Sequence, residues 1–477
     1  MRADSPYRLI TTAQMYAADQ LTIASGISER QLINNAAAAV CAEITAHYEK
    51  CSVLVLVGPG NNGADGLKTV ELLQDAGWSV TVWKFDEDSK LPELKDTALI
   101  IDALFGAGLS KPLRGNLLAL VNRINTATCA VVSIDIPTGI DGNTGQARPI
   151  AVKADRTVTF FRQKPGHMLY PGRAHCGQII CRDIDIAAKA LNKIAAPYLY
   201  ENAPRLWQDG FPKRRYDSHK YKHGHVLCVS GGMRNTGAVR LAAKGALRIG
   251  AGLVSITAPG SALMIHAAHL TEIMLEKADN GNDLAALVED IRKNVILIGP
   301  GLGLTERGRD MVEAALSSKA ALVLDADALT LYKNEPEFLF ARIKNRNAPV
   351  ILTPHAGEFT RLFAHTKNNS KIDASKQAAK ISGAIIVYKG ADTIITAPDG
   401  TCVLNTNASP HLATAGSGDV LAGMIAGLLA QNMPPLKSAC AGVWLHGAAG
   451  RHLGPGLIAG DIPNALPKLL KQTFYGD

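Results

Sequence analysis

The sequence predicts an α/β protein with largely parallel sheets, built as two domains, and three observations carry that expectation. Apolar runs alternate with glycine-rich turns and apolar-periodic helices, the pattern of repeated strand–turn–helix units. The units fall into two blocks, from about 52 to 186 and from about 225 to 430. Between them, residues 197 to 217 carry three prolines and a cluster of charges. A chain of 477 residues also exceeds what one ordinary hydrophobic core organises. The expected boundary lies near 210, giving domains 1–209 and 210–477.

In chain order, QMYAADQLTIASGISERQLINNAAAAVCAEITAHY reads as helical. The strands SVLVLVG, SVTVW, TALIIDALFG, AVVSIDIP and TVTFF follow it. The second block supplies HVLCVSGG, GLVSITAP, NVILIGPGLG, ALVLDADA, PVILTPHAGE and AIIVYKGADTIIT, interleaved with helices such as NTGAVRLAAKGALRIGAG. No fixed repeat is visible, which sets solenoids and propellers aside.

The opening MRADSPYRLITTAQ has no apolar leader segment, and no apolar run is long enough to span a bilayer. The expectation is a cytoplasmic protein without a membrane partner. Its eight scattered cysteines form no C-x-x-C and read as reduced thiols. The net charge of +8 is densest in FPKRRYDSHKYKHGH, around which no nucleic-acid motif lies, so nucleic acid is not expected as a partner. That segment reads as a solvated linker or a phosphate-attracting rim. Its His219, His223 and His225 have only Asp217 nearby to complete a metal site.

Ligands of open α/β sheets bind beyond the carboxyl ends of the strands. In the first block three such loops stand out: GPGNNGADG at 58–66, DALFGAGLSKPLRG at 102–115 and DIPTGIDG at 135–142. Asn62, Asp102, Asp135 and Thr138 together supply hard oxygen atoms suited to an alkali or alkaline-earth cation rather than zinc. The competing reading is that they only cap helices and turns.

In the second block, AGSGDVLAGMIAGLL places small residues, then Asp419, at a helix start, where backbone amides attract anions. An ionised carboxylate beside an amide cradle suits phosphoryl transfer to an alcohol: a base for the hydroxyl and donors for the migrating charge. The competing reading is a plain helix N-terminus with an acidic first turn. KGADT at 389–393, GPGLG at 299–303 and TPHAGE at 353–358 each follow an apolar strand, and His355 at such a strand end reads as a ligand contact.

GPGNNGADGL, DALFGAGLSKPLRG, SIDIPTGIDG and VKADRTVTFFRQKPGH resemble the Rossmann-like epimerase domain of the bifunctional NAD(P)H-hydrate repair enzymes, over most of residues 10 to 210. The resemblance implies a Rossmann-like three-layer domain. It further implies that Asn61, Asn62, Gly63, Ala64 and Asp65, with Gly106, Ala107, Gly108, Leu109, Ser110, Lys111 and Pro112, contact the hydrated nucleotide. Asn62, Asp102 and Thr138 would hold K+, and Asp135 would contact substrate. Ala64 stands where relatives commonly carry glycine. Epimerising a hydroxyl-bearing carbon beside a ring nitrogen needs an acid/base group, for which Asp135 is the candidate. Lys153 and Lys164 are left between phosphate binding and solvation.

NTGAVRLAAKGALRIGAGLVSI, ILIGPGLG, LVLDADAL, LTPHAGEF, VYKGADT and AGSGDVLAG resemble the ribokinase-like superfamily, and within it the ADP/ATP-dependent NAD(P)H-hydrate dehydratase domain, over about 225 to 450. By that resemblance Ala238, Gly303, His355 and Asp419 contact the hydrate, and Asp419 is the catalytic base. Lys389, Gly390, Ala391, Asp392, Thr393 and Gly418 would bind the adenine nucleotide. Ser417 replaces a frequent threonine. The implied reaction phosphorylates the hydrate hydroxyl and expels phosphate, consuming ADP or ATP with Mg2+. Relatives assemble into homo-oligomers. The alternative is a small-molecule alcohol kinase joined to a nucleotide-sensing or interaction module.

Overall fold

The computed structural model describes residues 5–86, 90–109, 111–194, 198–214, 216–366 and 370–474. Ser110 lies outside them. The chain separates into two compact units between Leu199 and Tyr200. Residues 200–211, linker-like in composition, are packed into the second unit. There Asn202 Nδ2 donates to Asn405 Oδ1 and to the Cys440 carbonyl at 3.0 and 2.8 Å. Trp207 donates its indole N–H to Asn202 and lies edge-on to Trp444.

In the first unit six strands form a wholly parallel sheet. Their order is Ser79–Lys84, Ser52–Val57, Leu99–Ala103, Ala130–Ile134, Arg156–Phe160, Gln178–Arg182. The central strands are apolar on both faces because helices cover both. Val53, Val55, Ile101, Val132 and Val158 pack with the helix Glu29–His47 in one core; Leu54, Leu56, Ile100 and Val131 pack with Asn116–Thr126 in another. The N-terminal helical stretch divides into Thr12–Ile23 and Glu29–His47 at Gly26, whose φ of 107° suits glycine. Pairing of Asp102 with Ser133, and of Ser133 with Thr157, sets polar side chains level with one another near the strand ends.

The second unit carries a parallel sheet in the order Val350–Leu352, Ala321–Leu324, Val295–Ile298, His225–Val229, Leu253–Ala258, Met274–Lys277. Ile385–Tyr388 extends it in parallel beside Val350–Leu352; Ile394–Thr396 and Cys402–Leu404 follow as antiparallel strands. The helix Ser417–Ala430 is buried along nearly its whole length and packs on Thr236–Arg248. Glycines permit that approach: a Cβ at Gly423 would lie 1.9 Å from the Ala242 carbonyl oxygen. Gly423→Ala must push the two backbones apart. We expect a loss of about 1–3 kcal/mol, read as a lowered thermal midpoint of the second unit.

Candidate active sites

In the first unit the three strand-end loops converge on one cleft of about 1500 Å³. Asn61, Asn62, Asp65, Gly106, Ala107, Gly108, Leu109, Lys111, Pro112 and Asp135 all line it. Gly63 is buried behind them: a Cβ there would strike the Gly58 carbonyl at 1.9 Å, so the turn requires glycine. Ala64, in the first turn of the helix Asn61–Asp75, donates its N–H to the Gly60 carbonyl. A Cβ at Gly106 would stand 3.1 Å from Asp135 Oδ2 and 3.4 Å from Asn62 Cγ, so these loops meet directly.

Asp135 adopts φ 65°, unusual for a side chain-bearing residue and of the kind that collects at functional sites. Both its oxygens are engaged. Oδ1 accepts from Lys164 Nζ at 2.6 Å and from Thr159 Oγ1 at 3.0 Å; Oδ2 accepts from the Ala107 N–H at 3.0 Å. Burial alone would raise this carboxyl, but the Lys164 ammonium and the Ala107 N–H outweigh it and bring it down to about 2. Lys164 is only 1 % exposed. His167 closes the arrangement: Nδ1 accepts from the Lys164 N–H, so Nε2 carries the proton and donates to the Asp135 carbonyl. Burial, reinforced by Lys164, lowers this imidazole to about 4.

Two further carboxyls share the cleft. Asp19, from the helix Thr12–Ile23, is pushed up to about 6, chiefly by burial and partly by Asp135, against the pull of Lys164. Asp65 is likewise raised well above the usual carboxylate range, by burial and by the charges of Asp135 and Asp19.

Asp102 and Thr138 lie beneath the cleft, both fully buried. Asp102 accepts from Thr138 Oγ1 at 2.6 Å, Thr138 N at 2.8 Å and Ser133 Oγ at 2.9 Å. Burial raises this carboxyl although the hydrogen bonds oppose it. Its neighbours are neutral donors, so a cation would relieve the uncompensated charge. Thr138 Oγ1 in turn accepts from the Phe105 N–H at 3.0 Å. The Asn62 amide, oriented to satisfy both its groups, accepts from Gly106 N and donates to the Ile134 carbonyl, each at 3.2 Å.

In the second unit the strand ends around Asp325 form the other site. Asp325, 1 % exposed, accepts from Lys389 Nζ at 2.7 Å. Burial disfavours the Lys389 charge, but Asp325, Glu358 and Asp419 raise its pKa overall. A Cβ at Gly418 would lie 3.4 Å from Lys389 Nζ, which puts the ammonium against the start of the helix Ser417–Ala430. That helix begins at Gly416, with φ 87° and no side-chain cap, so its first turn is open to a ligand. Asp419 in this turn is lifted to about 6 by burial and by Asp325 and Asp327, with Lys389 opposing.

Gly303 donates its N–H to Asp327 Oδ2 at 2.8 Å, and Ala238 Cβ lies 3.4 Å from where a Gly301 Cβ would be. The GPGLG loop, Ala238 and the Asp325–Asp327 turn are therefore contiguous. Ala326 between those aspartates has φ 46°, the same kind of backbone as Asp135. His355 is exposed and caps the helix Ala356–Leu362: Nδ1 accepts from Gly357 N at 3.0 Å, and Nε2 lies 3.3 Å from Glu358 Oε1. Gly390 donates its N–H to Thr393 Oγ1 at 3.1 Å, Ala391 stands in that exposed turn, and Asp392 is held by Lys371 Nζ at 2.5 Å.

The sequence reading passed over Asp19, Asp325, Asp327 and Glu358, and left Lys164 undecided. Asp325 follows the run ALVL, so the strand-end rule applies to it as it does to Asp102. No local pattern marks Asp19. The basic segment near 213 borders a separate cleft of about 1060 Å³ with Arg240, Lys244, Arg248 and Lys471. Among the described residues no group of three or more His, Cys, Asp or Glu side chains could hold a metal ion.

Two units built on largely parallel sheets, each with carboxylates gathered at its strand ends around a lysine, define an α/β enzyme of two joined catalytic folds. A family model described as NAD(P)H-hydrate dehydratase matches residues 226–468, and one described as YjeF-related protein N-terminus matches 29–99 and 83–166. The bifunctional NAD(P)H-hydrate repair enzyme Nnr of Thermofilum pendens is 34 % identical, over 94 % of this chain and 93 % of its own. Its counterpart in Moorella thermoacetica is 33 % identical over 97 % of both. The crystal structure of the ADP/ATP-dependent NAD(P)H-hydrate dehydratase from Bacillus subtilis, co-crystallised with ATP and Mg2+, covers 57 % of this chain and 98 % of its own, with a TM-score of 0.50 and 30 % identity. The chain belongs to the bifunctional NAD(P)H-hydrate repair enzyme family.

Because Asp419 binds its proton more tightly folded than unfolded, the folded state loses stability as pH rises from about 4 through about 6. Asp419→Asn should therefore unfold at a higher temperature than the parent at pH 8. The difference should close towards pH 4, as calorimetry across that range will record.

Proposed function

We propose that the chain repairs hydrated NAD(P)H in two reactions. The first unit interconverts the R and S hydrates; the second dehydrates the S form while converting ADP to AMP and phosphate, or using ATP. The observation that carries the reading is Asp419: a half-buried carboxyl poised at about 6, beside Lys389 at an uncapped helix start.

Ionised, Asp419 takes the proton of the hydrate hydroxyl while the first-turn amides and Lys389 stabilise charge on the transferring phosphoryl group. Hydroxide is a poor leaving group and phosphate a good one, so the phosphorylated carbon eliminates readily. Ala238, Gly303 and His355 are assigned to the hydrate, and Lys389, Gly390, Ala391, Asp392, Thr393 and Gly418 to the adenine nucleotide. Mg2+ would be held largely by phosphate oxygens and water. Bound there, it would neutralise phosphate charge. The excess of carboxylates over lysine in this site favours such a cation.

In the first unit the loops at 61–65 and 106–112 take the hydrate, with Ser110 included on the resemblance alone. Asn62, Asp102 and Thr138 are assigned to K+, supported by the buried, neutrally solvated Asp102. Bound K+ would fix these loops through their oxygen atoms. Asp135 acts as a permanent anion that holds Lys164 at the cleft floor. A homo-oligomer acting in the cytoplasm belongs to the same reading; among the described residues no helix is long and apolar enough to cross a membrane.

Asp419→Asn should lower S-hydrate dehydration about a hundred- to ten-thousand-fold while R-to-S conversion continues, followed by absorbance of the reduced nicotinamide and chromatography of each epimer. A stable phosphorylated alcohol as end product would instead favour the kinase reading. Thr138→Val should abolish any K+ stimulation of epimerisation and leave dehydration unchanged, measured in K+ and in tetramethylammonium buffers.

A further inference from the structure

The cleft of the first unit needs a group that gives and takes a proton, and most of its polar residues are unable to do so. Asp135 is held ionised by Lys164, Thr159 and Ala107. His167 has both ring nitrogens committed, one to the Lys164 N–H and one to the Asp135 carbonyl. Asp102 lies buried under the cleft within its own hydrogen bonds. The other charged or titratable groups on the cleft wall are Tyr16, Asp19, Glu29, Asp65, Lys111 and Arg114.

Asp19 is placed by its helix. Met15, Tyr16, Asp19, Gln20 and Ile23 lie along one side of Thr12–Ile23 and line the cleft, while Ala18 and Thr22 on the other side are buried. The helix is tied to the substrate loop at its start, where Thr12 Oγ1 donates to the Ala107 carbonyl at 3.2 Å and Thr12 N donates to Asn143 Oδ1 at 2.9 Å. No hydrogen bond or ion pair engages the Asp19 carboxyl among the described residues, in contrast to Asp135.

We propose that Asp19 is the catalytic base of the epimerisation and Asp65 its acid partner, a pair of carboxyls that line one cleft. The proposal rests on the epimerase reading of this unit. The Asp19 carboxylate removes the proton of the hydroxyl on the carbon bonded to the ring nitrogen. The O–H electron pair becomes the second bond of a carbonyl as the C–N bond breaks, and the released pair on nitrogen takes the Asp65 proton. Rotation of the freed carbonyl presents its other face. Closure then reverses each transfer: nitrogen attacks carbon and returns its proton to Asp65, and the oxygen recovers the proton from Asp19. Atoms and charge balance, and no outside reagent is used.

The environment separates the two roles as the chemistry requires. Asp19, near 6, is mainly ionised at neutral pH. Asp65 is raised well above the usual carboxylate range by burial and by the charges of Asp135 and Asp19, which favours its protonated form.

The test uses the full chain with purified R hydrate and no ADP, the two epimers being separated by chromatography. Wild-type kcat should fall as pH drops through about 6. Asp19→Asn should lose about a hundred- to ten-thousand-fold in R-to-S rate and lose that acid limb; Asp19→Glu should restore part of both. ADP-dependent dehydration of pure S hydrate, made in the second unit, should stay at the parental rate, and circular dichroism and thermal melts matching the parent show that the first unit is folded. An Asp19→Asn chain with parental epimerisation and the same acid limb overturns the proposal. A wild-type chain that dehydrates S hydrate but never converts R hydrate overturns the epimerase reading itself, a result distinct from a failure of Asp19 alone.

Discussion

Each site is organised by one buried lysine–aspartate pair at the end of a parallel strand. Lys164 meets Asp135 at 2.6 Å in the first unit, and Lys389 meets Asp325 at 2.7 Å in the second. A lone charge is costly inside a protein, so each partner is tolerable only because the other is present. One lysine, however, neutralises one carboxylate. The additional carboxyls, Asp19 and Asp65 in one unit and Asp419 and Asp327 in the other, then stand in excess negative charge. Burial lifts both Asp19 and Asp419 to about 6; Asp325 and Asp327 add to it around Asp419, while at Asp19 the pull of Lys164 opposes it more than Asp135 supports it. The same arrangement that fixes one anion permanently therefore leaves another able to exchange a proton near neutrality.

The backbone is bent to make this possible. Asp135, the partner of Lys164, and Ala326, next to the partner of Lys389, both adopt positive φ without being glycine. Glycines perform the complementary task. Gly58 and Gly299 lie where a Cβ would come within 1.7 Å of the carbonyls of Leu104 and Asp325, so neighbouring strand ends can crowd together. Close strand ends bring the carboxylates of different loops into each other's field.

Much of this was legible in the sequence. Alternating apolar runs mark the parallel strands, and the rule that ligands gather at strand ends points to Asn62, Asp102, Asp135, Thr138, Gly303 and Lys389. What stayed hidden depends on distance across the fold. Asp19 lies in a helix that precedes the sheet, and only docking of that helix on the 106–109 loop brings it to the cleft. The pairing of Lys164 with Asp135 spans 29 positions, and nothing local distinguishes it from a solvated lysine. Residues 200–211 resemble a linker in composition, yet Asn202 and Trp207 supply buried hydrogen bonds that composition does not reveal.

The central claim is that burial beside a lysine–aspartate pair brings Asp19 in the first unit and Asp419 in the second towards neutrality. Carbon-13 NMR of aspartate carboxyls, labelled in the full chain and titrated with pH, measures it most directly. Two resonances titrating near 6 are expected, one lost in Asp19→Asn and the other in Asp419→Asn. If both carboxyls titrate near the ordinary value of about 3.9 for aspartate, the account is wrong.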